Sequence, residues 1–516
     1  MAHDPVARTL DAADDLCVRM MNEITMPGLG VGIVRGGEVV YARGFGMADA
    51  GRGVPFTPDT VFKIGSSSKT FVAVSIMQLE EQGLLDLDDP VAEHMRGFSI
   101  HVPKGSPQPT IRQAMTHTAG VGEWRELRGL VRRGGRLGWP ADRPLPTYPD
   151  LYRNGLKVEV PPGTKWAYAN HMIAALDQMV QEVSGMPFDA YLREHILDPL
   201  GMDSTDLHRG HRHEGRVALG YKNDMSKGLQ PNKDVEMVIG GAGSILSTIN
   251  DMNAYMLALL AGGSGPSGQI LKPESVEQLF TSQGVTDERL SYRQGLSFFM
   301  QDFSGHKIAY HGGGRTGYIT MMMLAPDDDL GVVAFVNASR GGSYQVARHL
   351  LCQLLDIPVP AAAVDALNLP ERADLWGQLV GIYRPLPGLN SAFRPIALSG
   401  GEFEILVHDA HLAIRGLRKG LALPIRLKRS DPEDPLVYRA AIGGGFSRDV
   451  WEFAFKPGDA GRAQSFEAFI SVPMEFRRRP DATSLRKART VSLRTAAAGA
   501  VVGAAAGARY LLERSR

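Results

Sequence analysis

Strand-like sequence lies at both ends of the region before residue 358, with helical sequence between the two ends. Residues 28–49 contain two apolar-rich segments around a Gly-Gly turn, which predicts an antiparallel hairpin. Residues 110–260 contain several helical stretches, notably His171–Ser184 and Asn250–Leu260. Strand patterning then returns at Gly295–Phe299, Lys307–Tyr310, Tyr318–Leu324 and Gly331–Asn337. This order predicts an α/β fold in which strands from both ends form one sheet and a helical domain is inserted between them.

The length of the chain predicts more than one folded unit. A chain of 516 residues exceeds what a single hydrophobic core usually organises. After a Pro- and Ala-rich segment, the chain becomes a series of short strand-like runs with turn signals between them, typical of a small all-β barrel. We therefore predict an N-terminal helical lead (1–24), an α/β domain (25–357), a linker (358–369), a β-barrel domain (370–480) and a basic, Ala/Gly-rich tail (481–516).

Charge and cysteine content exclude several classes of function. Lys plus Arg and Asp plus Glu both total 56, so the overall charge does not favour nucleic acid as a partner. The two cysteines, Cys17 and Cys352, form no disulfide framework and are expected to be buried free thiols. The N-terminal segment carries acids where an export signal would carry a basic segment and an apolar run. These features predict a cytoplasmic protein.

The tail leaves one alternative open for localisation. Thr495–Ala508 is uncharged and places Gly499, Gly503 and Gly507 four residues apart, a spacing typical of packed membrane helices. As a helix it would span about 21 Å, against roughly 30 Å of hydrocarbon. Only a longer helix over 491–512 would cross a membrane, so we favour a non-membrane tail and keep membrane association as the alternative.

A Ser-x-x-Lys pattern occurs three times, as Ser66–Lys69, Ser304–Lys307 and Ser484–Lys487. A serine and a lysine three residues later share one face of a helix, which places an amine beside a nucleophilic hydroxyl. Ser304 lies in a glycine-containing turn and Ser484 in a polar, basic stretch, whereas Ser66 opens the apolar helix Lys69–Gln82. A helix N-terminus favours developing negative charge. Ser66 is therefore the candidate nucleophile.

A Tyr-x-Asn pattern also occurs three times, as 152–154, 168–170 and 221–223. Tyr168 follows the turn Pro161–Thr164 and directly precedes a periodic helix, which is a rigid junction that can aim a phenol. The other two tyrosines are expected in exposed loops. A phenol near a lysine can act as base and then as acid, so we predict that role for Tyr168.

A glycine-rich segment, His311-Gly312-Gly313-Gly314, ends the predicted strand Lys307–Tyr310. Consecutive glycines let a backbone approach a substrate closely, and a strand-edge N–H could reach a carbonyl oxygen. The alternative is a flexible glycine turn.

Two groups of histidines are assigned no chemistry. Residues 206–213 contain His208, His211 and His213 near an aspartate, but without the helical spacing of a zinc protease. We predict no metal and no cofactor. His117 is expected to be a structural, hydrogen-bonded histidine.

Seven motifs in order, covering about residues 25–355, resemble the family of class C β-lactamases, penicillin-binding proteins, D-alanyl-D-alanine carboxypeptidases, D-aminopeptidases and related esterases. The motifs are FKIGSSSKTF, LLDLDDPV, MTHTAG, PPGTKWAYAN, DPLGMDST, GAGSILSTINDM and HGGGRTGY. The resemblance implies a mixed sheet beside a helical domain, with a cleft between them. Residues from LVGIYRP to VPMEFRRRP similarly resemble a lipocalin-like barrel appended to some members, which implies gating of the site or homo-oligomerisation.

Site roles follow from this resemblance, position by position. It implies that Ser66 is the nucleophile, Lys69 its activator and Tyr168 the base and leaving-group acid. Asn170 would bind Lys69 or the substrate. Backbone N–H groups of Ser66 and Gly314 would form the oxyanion hole.

One departure bears on the substrate. Penicillin-recognising members carry Lys-Thr-Gly where this chain has His311, Gly312 and Gly313, so a titratable ring replaces a permanent cation. Arg315 could supply part of that charge. We therefore predict a metal-free serine hydrolase that acts on a small or short-peptide ester or amide. The alternatives are β-lactamase activity at the same site, or an inactive binding protein of the same fold.

Overall fold

The computed structural model describes residues 5–122, 138–140, 144–224, 228–232, 235–339, 341–386, 401–417, 423–458, 461–469 and 473–479. Its helices of seven or more residues are α1 Pro5–Ile24, α2 Ser68–Glu81, α3 Asn170–Ser184, α4 Ile249–Leu260, α5 Pro273–Leu279, α6 Ser343–Leu354, α7 Pro360–Ala366 and α8 Ala373–Leu379. Shorter helical turns are Gly65–Ser67, Val91–Glu93, Ile111–Met115, Tyr148–Leu151, Phe188–Leu192, Arg193–Leu197, Asp198–Leu200, His211–His213, Gly240–Gly243, Pro326–Asp328 and Gly445–Ser447.

The main sheet combines strands from both ends of the α/β domain, as predicted. Its strands are β1 Gly28–Arg35, β2 Glu38–Asp49, β3 Val54–Pro55, β4 Arg293–Gln294, β5 Phe299–Phe303, β6 His306–Arg315, β7 Tyr318–Ala325 and β8 Leu330–Val336. They lie in the order β4-β5-β6-β7-β8-β1-β2-β3. The resemblance implied a mixed sheet, whereas all neighbouring pairs in this sheet are antiparallel.

Helices cover both faces of the sheet centre. Alternate residues of β8 enter different cores: Val333 and Phe335 join the core on the α4 side, and Val332 and Ala334 the core on the α6 side. A strand that is covered on both faces typically has an uninterrupted apolar sequence, and β8 has such a sequence. The short strands Phe62–Lys63 and Leu246–Ser247 pair beside the sheet. Other short strands are Ile100–His101, Gly138–Pro140, Leu156–Lys157, Tyr221–Asp224, Gly228–Pro231, Val235–Met237, Ser264–Gly265 and Gly268–Gln269.

Helix α2 is the centre of the helical domain. Every residue from Ser68 to Leu79 is buried, so the helix is enclosed on all sides. It packs against α3 and against the turn Gly240–Gly243. The residues at its start are thereby fixed by packing from the surrounding elements.

One strand prediction in the α/β domain was wrong. The segment Gly295–Phe299 is the turn between β4 and β5 rather than a strand, and β5 begins at Phe299. The N–H of Gly295 donates to the carbonyl of Phe298 at 2.9 Å, and Ser297 has φ 57°. A tight turn with a left-handed residue overrides the apolar pattern here.

The C-terminal region forms a nearly closed β-barrel, which confirms the predicted all-β unit. Its strands are β9 Gly381–Pro385, β10 Phe403–His408, β11 His411–Gly416, β12 Ile425–Arg426, β13 Lys428–Arg429, β14 Val437–Ile442, β15 Asp449–Lys456, β16 Ser465–Phe469 and β17 Pro473–Arg478. Pairing of β17 with β9 joins the two ends of an up-and-down meander. The edge strands β12 and β13 are separated by Leu427 alone. The likeness to lipocalins stays a prediction.

The barrel docks on the α/β domain next to β4. Glu452 of β15 is buried and accepts hydrogen bonds from the backbone N–H and the hydroxyl of Ser291, both at 2.8 Å. The ring of Phe469 stacks on Tyr292 with centroids 4.4 Å apart. The segment expected to be a linker contains α7, which packs on β14 and β15. The two parts therefore share a packed interface.

The predictions for the tail fall outside the described residues, as does Ser484–Lys487. Among the helices that the structure does describe, none combines the length and the apolar content needed to span a membrane. Cys17 and Cys352 are both free and buried, as predicted.

Candidate active site

Ser66 lies where a strand turns sharply into a buried helix. Gly65 has φ 56°, and a side chain there would place its Cβ 2.9 Å from the backbone nitrogen of Gly314. Only glycine allows both the conformation and this close approach. The turn Gly65–Ser67 leads directly into α2, and Ser66 is partly exposed while both neighbours are buried. The turn therefore presents the Ser66 hydroxyl to the surface and brings its backbone beside β6.

Lys69 is completely buried and holds the Ser66 hydroxyl. Its Nζ donates to Ser66 Oγ at 3.0 Å, to Asn170 Oδ1 at 2.6 Å and to the Ala242 carbonyl at 2.6 Å. These three acceptors match the three hydrogens of an ammonium group. The predicted proximity of Ser66, Lys69 and Asn170 is thus present in the geometry.

Tyr168 lies next to Lys69. Its side chain is buried, and Lys69 Nζ is 4.9 Å from its ring centroid, within the range of a cation–π contact. The ring of His117 packs on it at 4.3 Å. The structure therefore brings the predicted tyrosine to the predicted lysine.

The expectation that the other two tyrosines are exposed was wrong. Tyr152 is buried against Phe98, and its hydroxyl shares a hydrogen bond of 2.8 Å with His171 Nδ1. Tyr221 is buried as well, and its hydroxyl accepts from the N–H of Ala50 at 2.8 Å. Both side chains belong to the protein interior, and each buried hydroxyl has the hydrogen-bond partner that such a group needs.

His311 is buried and neutral. Its ring stacks on Phe299 at 5.1 Å, and Nδ1 donates to the carbonyl of Gly312 at 2.7 Å. Burial and the nearby charge of Lys69 lower the pKa of His311 to about 3. The same two causes, followed by His311, hold the pKa of His117 well below its ordinary value. Neither imidazole carries a charge at neutral pH.

The glycine-rich segment lies inside a strand, not at its end. β6 continues through His311 to Arg315, and Gly313 pairs with Thr320 of β7. A Cβ on Gly313 would lie 1.8 Å from the Ile64 carbonyl, so the strand can pass the Ser66 turn only with glycine there. Gly314 is exposed and Gly312 partly exposed at the same edge. The guanidinium of Arg315 donates to the Val235 carbonyl at 2.6 Å.

Sequence reasoning missed two residues that organise this site. Ala242 supplies a carbonyl to Lys69 from the turn Gly240–Gly243, and Asp177 of α3 accepts a hydrogen bond from the N–H of Gly241. The GAG triplet and an aspartate within an apolar helix were the available signals. Neither sequence feature indicates on its own which distant segment of the chain the residue contacts.

Two of the three histidines near position 210, His211 and His213, have acidic partners. Asp206 pairs with Arg193 at 2.7 Å and also with Arg212, and His213 is buried beside the same carboxylate at 3.1 Å. Burial acts to raise the pKa of Asp206, but hydrogen bonds from three side chains and the charge of Arg212 together outweigh it and lower that pKa to about 2. Within the described ranges, no three metal-ligating side chains form a cluster that could hold an ion.

Comparison with known proteins identifies the family. A family model described as Beta-lactamase matches residues 13–354. This chain belongs to the beta-lactamase family. The predicted resemblance is confirmed, and with it the prediction that the protein is a hydrolase of the β-lactamase and penicillin-binding-protein type.

Individual relatives of this beta-lactamase family member carry different names. A D-aminopeptidase of Cereibacter sphaeroides is 27% identical over 402 residues, which are 76% of this chain and 73% of that protein. Esterase EstB of Burkholderia gladioli is 32% identical over 211 residues, 39% of this chain and 53% of the esterase.

A solved structure shares the fold over most of the chain. The octameric penicillin-binding protein homologue from Pyrococcus abyssi superimposes with a TM-score of 0.60 at 23% identity, covering 90% of this chain and 99% of its own. This likeness establishes the predicted α/β fold.

Proposed function

We propose that this protein hydrolyses a small ester or amide through an acyl-enzyme on Ser66. The observation that carries the proposal is the hydrogen bond of 3.0 Å from Lys69 Nζ to Ser66 Oγ, made by an amine that two further acceptors hold in place. A nucleophilic serine needs such a positioned partner. Ser66 is also the partly exposed residue of its turn, so a substrate carbonyl can reach it.

The acylation step uses the groups around Ser66 in defined roles. Ser66 Oγ attacks the substrate carbonyl carbon, and its proton passes to the phenolate of Tyr168, which the Lys69 ammonium stabilises. The backbone N–H groups of Ser66 and Gly314 donate to the oxyanion. Collapse breaks the bond to the leaving group, which takes the proton from Tyr168. Water then attacks the acyl-enzyme by the reverse sequence of proton transfers and releases the acid.

The electrostatics favour a substrate without a carboxylate next to the scissile bond. Because His311 is neutral and buried, it supplies no cation of the kind that an ammonium offers a carboxylate. The names of two relatives, a D-aminopeptidase and an esterase, agree with amides and esters that lack such a carboxylate. We therefore propose short-chain esters and D-amino-acid amides as the substrate class.

A fluorophosphonate probe tests the nucleophile. Ser66 Oγ forms a bond to phosphorus while the phosphorus–fluorine bond breaks, and intact-mass analysis records the added mass. We expect one adduct on the wild type and on Ser304→Ala, and none on Ser66→Ala. Equal labelling of Ser66→Ala would contradict the assignment.

A substrate panel tests the class. Rates of p-nitrophenyl ester, D-amino-acid amide and chromogenic cephalosporin hydrolysis should be measured in parallel. We expect the ester or the amide to exceed the cephalosporin in kcat/KM by at least about tenfold, or about 1.4 kcal/mol of transition-state stabilisation. Equal turnover of the cephalosporin would instead make the protein a β-lactamase.

A further inference from the structure

Two of the three acceptors of Lys69 depend on one helix. Asn170 begins α3 and accepts directly from Lys69 Nζ. Asp177 lies seven residues later, two helical turns along the same face. From there it contacts the turn Gly240–Gly243, whose Ala242 carbonyl is another Lys69 acceptor. Helix α3 therefore reaches Lys69 once directly and once through Asp177.

The contact between Asp177 and the turn is close and specific. Asp177 Oδ2 accepts from the backbone N–H of Gly241 at 2.5 Å and from the hydroxyl of Tyr148 at 2.7 Å. A Cβ on Gly241 would lie 2.9 Å from this oxygen and 2.5 Å from Val72 Cγ2. Glycine at this position lets the turn sit directly against the carboxyl group and against α2.

An acid at this position is costly to the fold. Asp177 is only 1% exposed, and burial raises its pKa to about 8, against the lowering effects of Tyr148 and Gly241. Its second oxygen, Oδ1, is buried and has no hydrogen-bond partner among the described residues. An apolar side chain would fill the space with less desolvation, so its hydrogen bonds are the distinctive contribution of Asp177.

We propose that Asp177 is a positioning residue for Lys69, which it serves by fixing the peptide Gly241–Ala242 whose carbonyl holds the Nζ group. The proposal rests on the proposed function, since it assigns a further residue to that site. Asp177 acts through the turn and through Lys69, and it transfers no proton to the substrate.

The test compares Asp177→Ala with Asp177→Asn. An asparagine oxygen can accept from both Tyr148 and Gly241, whereas alanine accepts from neither. The measured quantities are the maximal rate of Ser66 phosphonylation by the fluorophosphonate and the probe concentration that gives half of that rate. We expect the maximal rate of the alanine variant to fall at least tenfold, while its half-saturating probe concentration stays within twofold of the wild-type value. The asparagine variant should stay within threefold of the wild type in both.

A second buried aspartate provides the matched control. Asp251 is also buried, and its carboxylate accepts from the Ser204 N–H at 2.9 Å and the Thr205 hydroxyl at 2.7 Å. Asp251→Ala should lower Tm as Asp177→Ala does but keep the maximal phosphonylation rate within twofold of the wild type. If Asp177→Ala does not fold, Tyr148→Phe removes one bond to the same oxygen and should lower the rate about threefold.

The outcomes separate the two proposals. Absence of labelling on the wild type would overturn the proposed function. If the wild type is labelled but the maximal rate of Asp177→Ala is unchanged, only the positioning role is overturned. If Asp177→Ala does not fold, an unchanged rate in Tyr148→Phe leads to the same conclusion. Failure of asparagine to restore the rate, or an equal loss in Asp251→Ala, would do the same.

Discussion

A completely buried lysine needs acceptors for all its hydrogens, and Lys69 obtains them from one nearby residue and two distant parts of the chain. Ser66 is three residues away, Asn170 is 101 and Ala242 is 173. Because the charge is desolvated, loss of one partner leaves a buried donor unsatisfied and costs more than a surface hydrogen bond would. This arrangement makes the amine rigid, which suits it to orient one hydroxyl.

Tyr168→Phe tests the proposed base. It removes the phenolic hydroxyl but keeps the ring next to Lys69 and His117, so we expect kcat to fall at least roughly a hundredfold with little change in Tm. Tyr152→Phe and Tyr221→Phe remove buried hydroxyls that bond elsewhere, and should lower stability but change kcat less than about threefold. A large loss of kcat in Tyr221→Phe would show that the wrong tyrosine was chosen.

The depressed pKa of His311 predicts a stability change with pH. Between its folded pKa of about 3 and its ordinary value of 6.5, the unfolded chain binds the proton that the folded protein excludes. Stability therefore falls as the pH falls through this window, by about 2 kcal/mol from this residue at pH 5. His311→Asn cannot titrate, so urea unfolding should show a smaller loss between pH 7 and pH 5. An identical loss in both proteins would contradict the burial of a neutral ring.

At the scale of elements, β7 and the Ser66 turn are held together by polar contacts. Ser67 Oγ and Thr320 Oγ1 share a hydrogen bond of 3.0 Å, and Thr320 Oγ1 donates to the Ile64 carbonyl at 2.9 Å. These contacts link the first turn before α2 to β7 across β6. The register in which β6 pairs with β7 therefore determines the position of Gly314 relative to the Ser66 turn. A slip of one residue would remove Thr320 from its contact with the turn.

Two neighbouring glycines of β6 should respond differently to alanine. Gly313→Ala would place Cβ 2.4 Å from Thr320 Oγ1 and still closer to the Ile64 carbonyl, so it should destabilise the domain by about 3 kcal/mol or prevent folding. Gly314→Ala meets Ile319 Cδ1 at 3.7 Å, an ordinary contact, and should cost less than about 1 kcal/mol. Thermal unfolding measures both. Equal stability of the two variants would contradict the close passage of β6 over the turn.

At the scale of the whole molecule, aromatic rings of the barrel contact the candidate active site through the α/β domain. Phe469 stacks on Tyr292, whose ring lies 5.7 Å from Phe299, and Phe299 in turn stacks on His311. Phe299 is also 6.5 Å from the ring of Tyr168. A row of aromatic rings thus connects the second domain to His311 and Tyr168 of the candidate site.

Phe469→Ala tests this connection. It leaves a cavity behind Tyr292, so we expect kcat/KM for a small ester to fall about tenfold, or about 1.4 kcal/mol. Phe446→Ala removes a barrel ring that instead packs on His349, 5.3 Å away and on the α6 side of the interface. This control variant should be less stable than the wild type, but its kcat/KM should fall by less than about twofold. Similar losses of activity in both variants would mean that activity depends on the contact between the barrel and the α/β domain as a whole, and not on the aromatic row in particular.

Local features were readable from the sequence because they depend on neighbouring residues. Periodicity predicted the helices now seen as α2, α3 and α4 to within a residue or two, and two apolar-rich segments around a Gly-Gly turn predicted β1 and β2. The same local signals favoured Ser66 over Ser304, which lies in a turn with φ 53° as expected. Turn chemistry and helix periodicity act over a few residues, so one sequence suffices to read them.

Only the tertiary structure decided which distant groups meet. The sequence could not show that all three Tyr-x-Asn tyrosines are buried, nor that one of them packs on Lys69. It also missed Ala242 and Asp177, since a carbonyl or a carboxyl acquires its role from the segment folded against it. The charge of His311 was fixed in the same way, because desolvation depends on Phe299 and on everything packed around the ring. Long-range packing, not local pattern, determines burial and therefore electrostatics.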